Sequence, residues 1–99
     1  WAPGEAKLHQ WRTLVTARAM DSTCFVVAVD QSVPPVATDG RTPTGIGHSL
    51  VVDPTGAVLL ELGDADEVAL VDLDLGSVAG VRERLPVLQH AVRFDDARS

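Results

Sequence analysis

A chain of 99 residues makes at most one small domain, and a domain of that size buries only a modest share of its surface on folding. Apolar residues make up 45%, yet the aromatics are only two Trp and two Phe, the composition of a globular interior rather than of a low-complexity tract. A net charge of -6 with Lys7 as the single lysine excludes a phosphate-binding basic stripe, and no run approaches the roughly 18 apolar residues of a membrane span. No nucleic-acid and no membrane partner is therefore expected.

Cys24 is the only cysteine, so an internal disulfide and any multi-cysteine metal centre are excluded. Neither metal nor cofactor is expected, and the thiol suits a soluble protein of a reducing, cytoplasmic compartment. The chain opens at Trp1, and its only methionine, Met20, lies inside a helical pattern. Further residues are expected upstream.

In chain order, Pro3-Gly4 can start a helix, with Glu5 near its positive end. Leu8, Trp11, Val15 and Ala19 then repeat on one face, which places a helix near 5–21. Arg18 falls at the border of that stripe, where its stem is expected to pack and its guanidinium to find a partner not obvious in the sequence. Cys24 to Val29 is an unbroken apolar run rich in β-branched residues, the pattern of a central strand covered on both faces. From Asp30 to Gly45 three prolines, two glycines and scattered polar residues break all periodicity and predict a long loop of the functional kind.

Ser49 to Val52, the turn Asp53-Pro54-Thr55-Gly56, and Ala57 to Leu62 predict a hairpin. Glu67 to Asp72 reads as another strand. Asp74 can cap a short helix carrying Val78, Val81 and Leu85 that stops at Pro86, with a tail beyond Leu88. The apolar strands need more cover than so short a chain supplies, which predicts an α/β protein of which this chain is one part.

Groups that could carry chemistry each have a plainer explanation. Cys24 could be a nucleophile with His9, His48 or His90 as base, but it sits in an apolar strand, where a free cysteine behaves as a small buried hydrophobe. Gly45-Ile46-Gly47-His48-Ser49 lacks the lysine of a phosphate loop and the strand-to-helix setting of a nucleophile-bearing turn, so its glycines are read as permitting close backbone approach or a bulge as a strand begins, with His48 left as a residue that can face a pocket. Asp64, Asp66 and Glu67, with Asp72 and Asp74, lack the spacing and turn glycine of a calcium loop and read as a solvated acidic rim. Arg82 and Arg84 lie near a helix C-terminus, where cations are favoured.

Four segments, in this order and spacing, resemble the C-terminal part of the nitrilase superfamily of carbon-nitrogen hydrolases. They are Trp11 to Asp21, Cys24 to Val29, Gly47-His48-Ser49-Leu50-Val51-Val52-Asp53-Pro54-Thr55-Gly56, and Val71-Asp72-Leu73-Asp74 followed by Arg82 to Leu88. Asp21 stands where similar sequences often carry glutamate, and the tail from Ala91 lacks the paired arginines common there.

The resemblance implies that residues 1–99 are the C-terminal segment of a single hydrolase domain, a four-layer αββα sandwich. There a cysteine attacks a small amide, a glutamate acts as base, and a lysine stabilises the tetrahedral intermediate. All three catalytic residues are expected upstream of Trp1, and the chain alone is expected to be inactive. The same resemblance puts Trp1, Asp30, Gln31 and His48 near the pocket mouth, and Trp11 and Arg18 on the face through which subunits pair. The partners it implies are a small amide, the N-terminal part of the same protein and further copies in a homo-oligomer. The competing function is a non-enzymatic interaction module; a cysteine about 25 to 30 residues upstream, between a strand and a helix, would favour the enzyme.

Overall fold

The structure, a computed structural model, describes residues 4–34, 36, 44–87 and 89–94. Helix α1 spans Lys7–Ser22, strands β1, β2 and β3 span Val26–Ala28, Leu50–Val52 and Val58–Glu61, and helix α2 spans Ser77–Arg84. None of these helices is long and apolar enough to cross a membrane.

The expected amphipathic stripe is the face that α1 buries. Val15 and Ala19 are buried, Trp11 packs beside them, and together they cover Leu50 and Val52 of β2 with Val26 and Ala28 of β1 at the margin. Ala19 retains no exposure, and a side chain that small lets the helix lie close on the sheet. The helix ends where Thr23 takes a left-handed conformation (φ 51°) and its N–H bonds back to Ala19. A β-branched residue there is strained by roughly 1–2 kcal/mol, held by a burial that leaves Thr23 2% exposed.

Arg18 meets expectation in one respect, a partner for its guanidinium, and departs from it in the exposure of its stem. Its side chain is 74% exposed, its stem does not pack, and its guanidinium meets Asp21 at 3.7 Å one turn along. The angular position was read correctly as a border, but the border faces outward.

The sheet order is β1-β2-β3, antiparallel throughout, with Val26 opposite Val52 and Val51 opposite Leu60. The run Cys24–Val29 is therefore not central among the described strands. Its paired portion is an edge, with Val27 and Val29 58% and 78% exposed, while β2 takes the middle and is buried at every residue. An apolar run reports that both faces want cover, not which position the strand holds in the sheet.

The hairpin β2–β3 turns as predicted. Asp53 O accepts from Gly56 N at 3.0 Å, and Asp53 Oδ1 accepts from the N–H groups of Thr55 and Ala57 at 2.8 and 3.0 Å. Gly56 is at φ 89°, as its turn position requires, and farther along the ladder the pairing slips between Val51 and Val52, leaving Leu59 as the extra residue of a bulge. Burial works to raise the Asp53 carboxyl. The bonds from the Thr55 hydroxyl and from the Ala57, Thr55 and Gly56 N–H groups outweigh it and hold the group below its ordinary value.

Glu67 to Asp72 forms no ladder: the segment runs extended and exposed, with Val68 and Leu70 at 96% and 95%. The α2 cap also differs, since the Asp74 carbonyl, not its carboxylate, accepts from Ser77 N at 3.0 Å and from the Ser77 hydroxyl at 2.7 Å. Val81 is the buried residue of this helix, which ends before Pro86 with Arg82 and Arg84 in its last turn, as the sequence indicates.

The molecule is a slab of 54 × 41 × 18 Å with a radius of gyration of 17.5 Å. A compact chain of this length would have a radius of about 13 Å. One helix on one sheet accounts for the thin dimension, and among the described residues no helix packs on the opposite sheet face.

Candidate functional site

Alternation along the strands sorts their side chains between two faces. Val26, Ala28, Leu50 and Val52 meet α1. Val27, Val51 and Leu60 share the other face, where with Val29 and Leu62 they floor a cavity of about 660 Å³ walled by residues 65–69 and Val71. Asp30, Ser32, Gly47, Ser49 and Gly63 close one end of it.

That end is a junction of three loops. Ile46 N donates to Asp30 Oδ2 at 3.0 Å, Gly47 N to the Gln31 carbonyl at 2.8 Å, and His48 N to the Gly63 carbonyl at 2.9 Å. The Ser49 hydroxyl accepts from Asp30 N at 3.0 Å and donates to Asp30 O at 3.2 Å. Glycine is required twice. A Cβ on Gly45 would lie 1.9 Å from the Gln31 carbonyl oxygen, and one on Gly47, already at φ 71°, would lie 2.6 Å from that of Gly63. This is the close backbone approach expected of the Gly45–Ser49 segment.

The structure thus brings Asp30, Gln31 and His48 together, while Trp1 lies outside the described residues. His48 is the residue between the two cavity-lining positions Gly47 and Ser49, and its ring turns to the helix side. There Nδ1 lies 3.4 Å from Glu61 Oε2. The same carboxylate takes two bonds from Arg12, Nε to Oε1 at 2.7 Å and Nη2 to Oε2 at 2.6 Å. Trp11 Nε1 donates to the His48 carbonyl at 2.9 Å, so this residue, expected on a subunit face, has an intrachain role. Arg18 stands apart from the cluster on the outer side of α1.

Arg12 and Glu61 were not singled out by the sequence reading. The available signal was a carboxylate inside the apolar run Leu59-Leu60-Glu61-Leu62, at the position that faces α1. Hydrogen bonds from Arg12 hold the Glu61 carboxyl below its ordinary value against a burial that raises it, with His48 and the charge of Arg12 adding to the lowering. The same pair of bonds raises Arg12 above its ordinary value.

The cavity is lined by carbon, hydroxyls and carboxylates, with no thiol, amine or imidazole among its described lining residues. Its carboxylates are engaged with the loops: Asp30 with Ile46 N, Glu67 with Gly63 N at 3.0 Å, and Asp66 with the Ser32 hydroxyl. Such a site can shape and orient a ligand, but its described lining holds no thiol for a cysteine mechanism and no amine or imidazole to activate its hydroxyls. Cys24 does not line it; its Sγ lies 3.3 Å from the Ser22 carbonyl and 3.5 Å from Arg82 Nη2.

A sequence model of the family described as carbon-nitrogen hydrolase matches residues 1–83. A hydrolase of Mycobacterium tuberculosis is 38% identical over 107 aligned positions, which cover 100% of this chain and 38% of that protein. The 2-oxoglutaramate amidase of Bacillus subtilis is 37% identical, covering 93% of this chain and 31% of the amidase. The chain therefore spans well under half the length of these relatives. Among solved structures, the Caenorhabditis elegans NitFhit protein superposes with a TM-score of 0.73 at 36% identity, covering 85% of this chain and 19% of that one. A carbon-nitrogen hydrolase superfamily protein of Xanthomonas campestris superposes at 0.76 with 26% identity, covering 97% and 35%.

Proposed function

The chain belongs to the carbon-nitrogen hydrolase family, and from that premise we propose that it is the C-terminal part of an amidase whose reactive residues lie in the rest of the protein. In this reading a cysteine thiol attacks the carbonyl carbon of a small amide. The C–N bond breaks, ammonia or an amine leaves with the thiol's proton, and water hydrolyses the thioester to acid and free thiol. A glutamate outside this chain moves the protons, and a lysine outside it meets the oxyanion.

The carrying observation is the sheet face that no helix covers among the described residues: an apolar floor and a loop-built rim whose described lining holds no thiol, amine or imidazole. It fits a pocket wall completed by a second sheet, which would make α1 and β1–β3 the outer two layers of a four-layer sandwich. Likeness to an amidase of 2-oxoglutaramate and to deaminated glutathione amidases favours small amides as substrates. On the outer side, His9, Gln10, Thr13 and Leu14 border a shallow groove of about 330 Å³ beside exposed Arg18, and we assign this face to subunit pairing.

The test is ammonia release from 2-oxoglutaramate and from short aliphatic amides by the whole protein, with the 99-residue chain as control. Turnover by the whole protein and none above buffer by the chain is expected. A whole protein inert toward every amide would favour an interaction module.

A further inference from the structure

We propose that Glu61 is a positioning residue for this pocket: by holding His48 from the helix side, with Arg12 and Trp11 as anchors, it fixes the shape of the Gly45–Ser49 rim. The inference rests on the reading above that this rim borders the amide site.

The argument begins with the backbone of His48. It is a non-glycine residue at φ 57°, a conformation that persists only where the surroundings over-determine it. Its N–H is bonded to Gly63 and its carbonyl to Trp11, and its ring meets Glu61. The bonds from Asp30, Gln31 and Gly63 join loops to loops. Among the described residues His48 itself is tied to the framework by Trp11 from α1 and by Glu61, the last residue of β3, whose two carboxylate oxygens are both held by Arg12 of α1, while the next carbonyl, that of Ser49, accepts from Leu62 N at 2.8 Å.

The geometry makes the tie consequential for the cavity. Gly47 and Ser49 line it, and His48 between them points away. Relaxing the φ of His48 to an ordinary negative value would swing its two neighbours relative to each other and reshape the rim without touching the floor. Arg12 and His48 face the carboxylate, Arg12 as its counter-charge and His48 as the ring it holds at 3.4 Å. Glu61 does not reach the cavity, so its effect on a substrate is indirect, through rim geometry.

The experiment compares the whole protein with Glu61→Gln, Glu61→Asp and His48→Gly, using 2-oxoglutaramate and short aliphatic amides as probes. Glu61→Gln is expected to raise KM about fivefold or more with kcat within about twofold, the signature of lost ground-state positioning, and Glu61→Asp to restore part of it. It should also move the Trp11 indole N–H resonance, identified by its loss in Trp11→Phe. His48→Gly removes the ring that Glu61 holds and frees the backbone to leave the positive φ, yet it introduces no strain and keeps the Arg12–Glu61 pair, so it should fold and show the same rise in KM. Unchanged KM in a folded Glu61→Gln or His48→Gly protein overturns the inference while leaving the amidase reading intact. So does a fall in kcat that simply follows lost stability. A wild-type protein inert toward all probes overturns both.

Discussion

The indole of Trp11 and the main chain of His48, thirty-seven positions apart, are joined by a 2.9 Å hydrogen bond from Nε1 to the carbonyl oxygen. A helix residue thereby holds a loop residue in a conformation the loop would not choose alone. The indole also packs against the core, so one side chain serves both burial and alignment.

The carboxylate beside this bond sets an acid limit. Glu61 is held below its ordinary value of about 4.5, so its contribution is present in full above that value and is lost as pH falls through the lower folded one. Acidification below about pH 4.5 should therefore loosen the loop, read as a shift of the Trp11 indole resonance. Glu61→Gln should flatten that limb; an identical acid profile in the variant would refute the assignment.

Two glycines should respond in opposite directions. Gly47→Ala meets the Gly63 backbone at positive φ, and a loss of about 1–3 kcal/mol is expected. Gly80 lies within α2 with nothing within 4 Å of a built Cβ, so Gly80→Ala should gain about 0.5–1 kcal/mol. Denaturant midpoints of the whole protein measure both, and a stabilising Gly47→Ala would contradict the described loop.

Val27 distinguishes an open sheet from a covered one. On the slab alone it is 58% exposed, where a polar replacement costs little, within about 0.5 kcal/mol. Under a second sheet Val27→Asp would bury a charge and cost several kcal/mol. The whole protein should lose its folded state or most of its stability, and an unaltered melting temperature would exclude the sandwich on this face.

Cys24 touches Ser22 and Arg82 and not the cavity, so Cys24→Ser in the whole protein should keep at least about half the amidase rate. Alkylation at Cys24 alone that abolished turnover would reverse the reading of this thiol as structural.

The outer face of α1 can be tested by charge. Leu14 is 44% exposed and Arg18 pairs with Asp21 on its own helix, so among the described residues neither is needed by the fold of one copy. Leu14→Asp combined with Arg18→Ala should shift the whole protein to a smaller sedimenting species at unchanged melting temperature. An unaltered sedimentation profile would remove this face from subunit pairing.

Much of this was readable from residues alone, for reasons that differ by element. The spacing of Trp11, Val15 and Ala19 fixed the buried face of α1 because helical periodicity is local. Asp53-Pro54-Thr55-Gly56 fixed its turn because each residue type meets its own backbone demand. The strand expected at Glu67–Asp72 failed because pairing needs a partner that composition cannot supply. Arg12 and Glu61 escaped notice because each is ordinary in its own segment, and their meeting depends on how α1 lies across β3. Asp30 and Gln31 meet the Gly45–His48 segment through hydrogen bonds to Ile46 N and Gly47 N, a junction of loops that no local pattern announces, and the His48 ring turns away from the cavity to Glu61.

The hairpin also determines an order of events. Val52 and Val58 meet across a short turn, a closure on the scale of about 1–10 μs, whereas Ala28 must find Leu50 across the long intervening loop at a higher entropic cost. The middle strand is thus furnished with its C-terminal neighbour before its N-terminal one arrives. A nascent chain emerging from the ribosome would hold β1 unpaired until the hairpin had been synthesised, leaving that apolar edge the segment most in need of a chaperone.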